Sequence, residues 1–296
     1  VLPLDSILFL TRGETLGAGS LLSHLNPVNA TYTGVCVPED GLPTFLGQIR
    51  YPLGSRSAHL VYLAPRSAQE SPELPLLIEH LTTQAGYWGA YHLLAEVEEH
   101  SGAFSALRQA AFSIYAWQRI WKHSGEGDET PEGNWRPANP LDSVAVGSLY
   151  QSVVPGLVQP VEALTSSRLR GLVCRRQGEL LAYADLVYGP RGIWVQPFIH
   201  PTTPDAAGLL VDLLRAVPHR RGRPVYLCVR SYQAWLESAL EELDLEVGPR
   251  QAVLVKHLAV TKRAVQPLRV PALENGHAEP TAPLVHVKST KSDGPA

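Results

Sequence analysis

The chain of 296 residues is 45% hydrophobic and 18% charged, with a formal net charge of −3. That size and apolar content suit ordinary buried cores and about two domains. The near-neutral balance gives no electrostatic ground for nucleic acid or an anionic membrane as a partner.

Read in chain order, "DSILFLT" has the pattern of a strand and "ETLGAGSLLSHL" that of a short helix. "TYTGVCV", "TFLGQIRY" and "AHLVYLA" follow as strands separated by turn residues. "SPELPLLIEHLTTQAG" is an amphipathic helix with a serine cap and a proline in its first turn. "AYHLLAEVE" is a strand, "GAFSALRQAA" a helix and "SIYAWQRIW" a closing strand. "KHSGEGDETPEGN" is charged, glycine-rich and aperiodic, as a linker is.

The same order then returns. "NWRPANPL" begins a strand, "DSVAVGSLYQSV" and "GLVQPVEAL" read as helical, and "RGLVCRR", "ELLAYADLVY" and "GIWVQPFIH" read as strands. The helix "TPDAAGLLVDLLRAV", the strand "PVYLCVRS", the helix "QAWLESALEEL" and the strand "RQAVLVKHLAV" complete the second half. Beyond Lys262 the chain is proline-rich and polar, a composition that predicts a disordered tail.

Sequence landmarks support a duplication. Ser105–His123 and Ser238–His257 both open on Ser-Ala-Leu and close on Lys-His. Upstream, Cys36, Gly41 and Tyr51 face Cys174, Gly178 and Tyr188. The offset stays near about 135 residues, the size of a small domain and too long for a solenoid repeat. The expected organisation is a domain over 1–123, a linker over 124–134, a second domain over 135–262 and a tail over 263–296, each domain having its own sheet.

No apolar run approaches the roughly 18 residues of a membrane-spanning helix. The start, "VLPLDSILFLTRGE", lacks the basic region and cleavage site of a signal peptide, so the expectation is a cytoplasmic protein. Cys36, Cys174 and Cys228 lie in apolar strand-like runs without CxxC spacing, which predicts buried free thiols and no metal site.

Each half resembles the GCN5-related N-acetyltransferase (GNAT) family, over nearly all of residues 3–260. "WRPANPLDSVAVGSLYQSVVP" is similar to the family's first strand and helix, and "VGPRQAVLVKHLAV" to its last hairpin. The resemblance implies an α/β (α+β) fold: two tandem GNAT-like domains, each a mixed, mostly antiparallel sheet flanked by helices. It also implies a V-shaped opening between the fourth and fifth strands. There the pantetheine of acetyl-CoA pairs with strand four as an added strand, and its pyrophosphate rests on backbone amides of a Q/R-x-x-G-x-G/A loop at the next helix.

The residues at that loop depart from the pattern. The first half has "APRSAQESPELPLL", with Pro72 and the acids Glu70 and Glu73. The second has "HPTTPDAAGLL", with Pro204, Asp205 and only Gly208. Proline and acids suit a helix cap, where they meet the positive end of the dipole, and oppose a phosphate cradle. Phe198, Ile199, Thr202, Thr203 and Gly208 are the positions that the resemblance would bring to acetyl-CoA.

The family's acidic tyrosine falls on Leu107 and Leu240, which have no proton to give. The remaining catalytic candidates are Glu96, Glu98, His200 and Tyr232, each with a plainer reading: a solvated strand face for the two acids, a strand-end cap for the histidine, and packing for the tyrosine. The segment "HRRGR", His219–Arg223, reads as a solvated turn. Pro197, inside a strand, predicts an edge or a bulge.

Two functional expectations follow. One is a pseudoenzyme-like GNAT-superfamily protein, acyltransferase-like with degenerate acetyl-CoA phosphate loops, that is weakly active or non-catalytic and binds a ligand or partner. The other is an active acetyl-CoA-dependent N-acetyltransferase with the C-terminal half catalytic. A small-molecule ligand or acyl acceptor is the partner expected of either, and a homodimer is a candidate assembly.

Overall fold

The protein is described by a computed structural model covering residues 1–13, 29–37, 44–68, 71–124, 134–162, 164, 169–243 and 245–258. The expected helix at 14–25, Gly41, Glu70, most of the linker and the tail lie outside these residues.

In the first half, β1 (Leu2–Pro3) and α1 (Ser6–Arg12) precede β2 (Asn29–Cys36), β3 (Phe45–Pro52) and β4 (Ser57–Ala64). Helix α2 (Leu74–Tyr87), β5 (His92–Glu98), α3 (Gly102–Gln109) and β6 (Ser113–His123) follow. In the second half, β7 (Trp135–Pro137) and α4 (Ser143–Val153) precede β8 (Gly171–Arg176), β9 (Glu179–Tyr188) and β10 (Ile193–Ile199). Then come α5 (Ala206–Ala216), β11 (Val225–Arg230), a 3-10 turn at Ser231–Leu236, α6 (Glu237–Glu241), β12 (Glu246–Val247) and β13 (Gln251–His257). Between β8 and β9, Gln177 and Gly178 both take positive φ, 52° and 88°. This is the mirror-image turn that matches strand twist in a two-residue hairpin.

Both halves share one topology. The runs β2-β3-β4 and β8-β9-β10 are antiparallel, and each ends in a parallel step, β4 to β5 and β10 to β11. Each half is therefore the GNAT-like fold that the resemblance implies.

The expectation of two separate sheets is overturned. All 13 strands found among the described residues belong to one sheet, with the order β2-β3-β4-β5-β13-β6-β11-β10-β9-β8-β7. The halves exchange their closing strands: β13 lies between β5 and β6, while β6 pairs with β11 of the second half. The side chains record the exchange. Trp121 of β6 is 1% exposed within the core of the second half. Ala252 and Leu254 of β13 are buried in the core of the first. Pairing on both sides leaves neither closing strand as an edge, and residues 1–260 form one compact unit.

Other corrections are local. "DSILFLT" is helix α1, because the Asp5 carboxylate accepts the Leu8 N–H at 2.9 Å and caps the turn. The expected helix "GLVQPVEAL" is instead a series of turns over its described residues 156–162, with Val158 and Gln159 N–H donating to the Pro155 carbonyl. Helix α2 has Glu73 at its cap position without a side-chain bond of its own, while the Ser71 hydroxyl accepts the Glu73 N–H at 3.4 Å as the serine of the expected cap.

Candidate functional site

The two parallel strand pairs diverge as the resemblance implies. Strands β4 and β5 are in register from Ser57 and His92 to His59 and Leu94, then separate. Strands β10 and β11 are in register from Ile193 and Val225 to Val195 and Leu227, then separate. Val61 and Pro197 hold equivalent places on the open edges.

Both edges are satisfied from within the protein. In the first half, β1 adds antiparallel to β4, and Leu4 bridges the gap. Its N–H donates to the Val61 carbonyl at 2.9 Å, and its carbonyl accepts the Glu96 N–H at 2.9 Å. In the second half a single side chain fills the equivalent role. The Gln233 carboxamide donates to the Pro197 carbonyl at 2.8 Å and accepts the Ile199 N–H at 3.1 Å. Gln233 is 1% exposed. Pro197 causes no bulge: β10 and β9 keep register from Ile193 to Ile199. The amide that proline lacks would face the opening, because the N–H and C=O of one strand residue point to the same edge.

The helix start after β10 does not suit a diphosphate. The Asp205 carboxylate accepts the Gly208 N–H at 2.8 Å, taking the amide that a phosphate would need. Beside it Pro204 offers no N–H. In the first half Glu73 stands at the start of α2, followed by a proline within the first turn.

The predicted site residues do not assemble into one catalytic centre. His200 closes β10 as a turn residue, its Nδ1 lying 2.7 Å from Thr202 Oγ1 and its carbonyl accepting the Thr203 N–H. Phe198 is buried against Tyr150 and Tyr183, and Ile199 is fully buried. Leu107 and Leu240 are core residues, each 0% exposed. Glu98 is exposed, as expected of a solvated face. Glu96 is not. It accepts the Ser6 N–H at 2.9 Å and lies 3.7 Å from Arg230. The Tyr232 hydroxyl is held in the protein, 3.2 Å from Glu162 Oε2. In the "HRRGR" turn Arg220 is buried, and Arg223 stacks over Tyr188 and bonds to Gly189.

Glu96 and Tyr232 instead belong to a buried polar cluster on the seam where the closing strands cross. Arg230, 4% exposed, is at its centre. It reaches Glu162 Oε1 at 2.6 Å and the Gln118 side-chain oxygen. The Tyr115 hydroxyl donates to the same Glu162 oxygen at 2.8 Å, and the Tyr150 hydroxyl holds the Glu162 backbone carbonyl. Gln118 donates to Gln251 at 2.6 Å, and Gln251 accepts from the Ser6 hydroxyl at 3.1 Å.

Burial opposes the Arg230 charge, but Glu162 and its other neighbours outweigh that and hold the pKa well above its ordinary value. Burial, then the Glu162 charge, pushes the Tyr115 and Tyr232 hydroxyls upward, so both stay protonated donors. The sequence signal for this cluster is an arginine closing the otherwise apolar strand "VYLCVR".

Cys174 and Cys228 are buried free thiols, and Cys36 is a partly buried one. Among the described residues no group of three His, Cys, Asp or Glu side chains is placed to hold a metal ion.

No family model matches the sequence, and no curated protein does. Solved structures do. A GCN5-related N-acetyltransferase from Sphaerobacter thermophilus is 16% identical, with 72% of this chain and 76% of that one covered and a TM-score of 0.45. A tandem GNAT protein from the clavulanic acid biosynthesis pathway is 17% identical over 78% and 84% of the two chains, with a TM-score of 0.44. A GNAT-family acetyltransferase from Novosphingobium aromaticivorans is 13% identical over 71% and 89%, with a TM-score of 0.47.

Proposed function

We propose that this protein is a non-catalytic, ligand- or partner-binding member of the tandem GNAT-like group, its cofactor clefts closed by its own residues. One observation carries the reading. The same backbone carbonyl on strand four of each half, Val61 and Pro197, is already bonded, once by the Leu4 main chain and once by the Gln233 side chain. An added pantetheine would have to break those bonds and leave buried groups unpaired, at a cost of about 1–3 kcal/mol for each group. The Asp205 cap adds like-charge repulsion against a diphosphate. At a few ångströms that costs on the order of 1–4 kcal/mol at an effective dielectric between surface and bulk values.

The alternative, an acetyl-CoA-dependent N-acetyltransferase active in the second half, draws on a difference between the clefts. The first is filled by main chain, the second by one side chain that can rotate. Calorimetric titration of acetyl-CoA decides between the readings. The wild type is expected to show no binding at micromolar concentrations, and a Pro204→Gly/Asp205→Gly/Gln233→Ala variant is expected to gain it. Micromolar binding by the wild type would overturn the closed-cleft reading and restore the alternative.

A further inference from the structure

The Arg230 cluster has the form of an anion receptor with its anion built in. Three donors from three elements converge on one carboxylate: the Arg230 guanidinium from the last residue of β11, the Tyr115 hydroxyl from β6 and the Tyr232 hydroxyl from the following 3-10 turn. They address both oxygens, Arg230 and Tyr115 on Oε1 and Tyr232 on Oε2, as planar carboxylate recognition requires. The carboxylate does not come from the sheet. It comes from Glu162, in the turns beyond α4, and the preceding residue, Val161, packs into a small apolar cluster with Leu94 and Val255. The receptor is thus part of the seam, and its anion belongs to a covering segment. The guanidinium also keeps a buried Nε with no partner among the described residues, so its donor set is not exhausted by Glu162.

We propose that Arg230, Tyr115 and Tyr232 form a binding site for a small monocarboxylate, which Glu162 occupies in cis and from which the ligand displaces it. The proposal rests on the ligand-binding reading above and names its ligand class. Exchange of one carboxylate for another conserves the charge beside Arg230, and Glu96 stays at 3.7 Å as the second counter-charge. Both hydroxyls remain donors throughout. A free carboxylate competes with a tethered one, whose effective concentration is high, so affinity in the wild type is set by that competition.

The test uses the full chain and acetate as the probe, because acetate supplies the atoms that Glu162→Ala removes. Melting temperatures of the wild type, Glu162→Ala and Glu162→Gln are followed against sodium acetate, with sodium chloride and sodium sulfate at matched ionic strength. Glu162→Ala is expected to melt several degrees below the wild type. Acetate, and neither chloride nor sulfate, should raise its melting point along a saturating curve of mass-action form. The wild type should need at least about tenfold more acetate for the same rise, the tethered carboxylate being its competitor.

If Glu162→Ala does not fold, Glu162→Gln takes its place in the same comparison. An equal rise in variant and wild type, or no rise specific to acetate, overturns the proposal. Acetyl-CoA titration does not address this site, so the two readings fail separately.

Discussion

At the scale of single residues, Gln233 carries the clearest liability. Gln233→Ala strips the partners from the Pro197 carbonyl and the Ile199 N–H together, both on a buried strand. Chemical denaturation should show a loss of about 1–3 kcal/mol, whereas Gln233→Glu keeps an acceptor for Ile199 and loses the donor for Pro197. His92 sets a pH dependence. It is 8% exposed, lies 3.3 Å from the Ser57 hydroxyl and 5.1 Å from the His257 ring, and is lowered from 6.5 by burial, then by His257 and Arg56. A depressed folded pKa means that the unfolded chain binds the proton more readily. The contribution is therefore complete above 6.5 and is lost as pH falls through the folded value. Melts at pH 7.5 and about 5.5 should show that decline, and His92→Gln should flatten it.

At the scale of elements, the tetrapeptide Pro-Leu-Asp-Ser occurs at residues 3–6 and again at 140–143. Both copies lead into a helix, and in each the aspartate is tied to arginine. Asp5 meets Arg50 at 3.2 Å; Asp142, 2% exposed, meets Arg136 and Arg175. Hydrogen bonds from Arg136, then from Asn139 and Arg175, outweigh burial and hold the Asp142 carboxyl well below 3.8. Its contribution is present above 3.8 and lost as pH falls below it. Asp142→Ala should cost about 1.5–3 kcal/mol, the range for hydrogen bonds to a charged group, read by urea denaturation at neutral pH. This pair of motifs was the available sign that "DSILFLT" is helical, since an aspartate before an apolar run is also a cap. Most of the described strands and helices of both halves were legible because their periodicity and turn residues are local. The clefts were half legible: the phosphate-loop residues stand out in the sequence, but nothing local says that Leu4 reaches Val61 or that Gln233 reaches Pro197. Glu96 was misread for the same reason, since alternation along β5 reports a face and not what covers it.

At the scale of the molecule, duplication was visible in the sequence and the exchange was not, because strands β6 and β13 would have the same pattern in either sheet. The pairing has a direct consequence for dissection. Residues 1–134 and 135–296, produced separately, each leave a β5 or β11 edge without its partner and hold a closing strand made for the other half. Neither fragment should give a cooperative melt alone, and mixing them should restore one, as followed by near-ultraviolet circular dichroism and gel filtration. Independent cooperative folding of both fragments would contradict the exchange. Trp121→Ala, in β6, should destabilise the second core by about 3–5 kcal/mol, as loss of a large buried aromatic does. The exchange also bears on synthesis. The neighbour that β5 needs on its open side is Gln251–His257, the last of the described strands to leave the ribosome. Until that strand emerges the first half must wait with an unfilled slot in its sheet, so its completion follows synthesis of the second half even though it is made first.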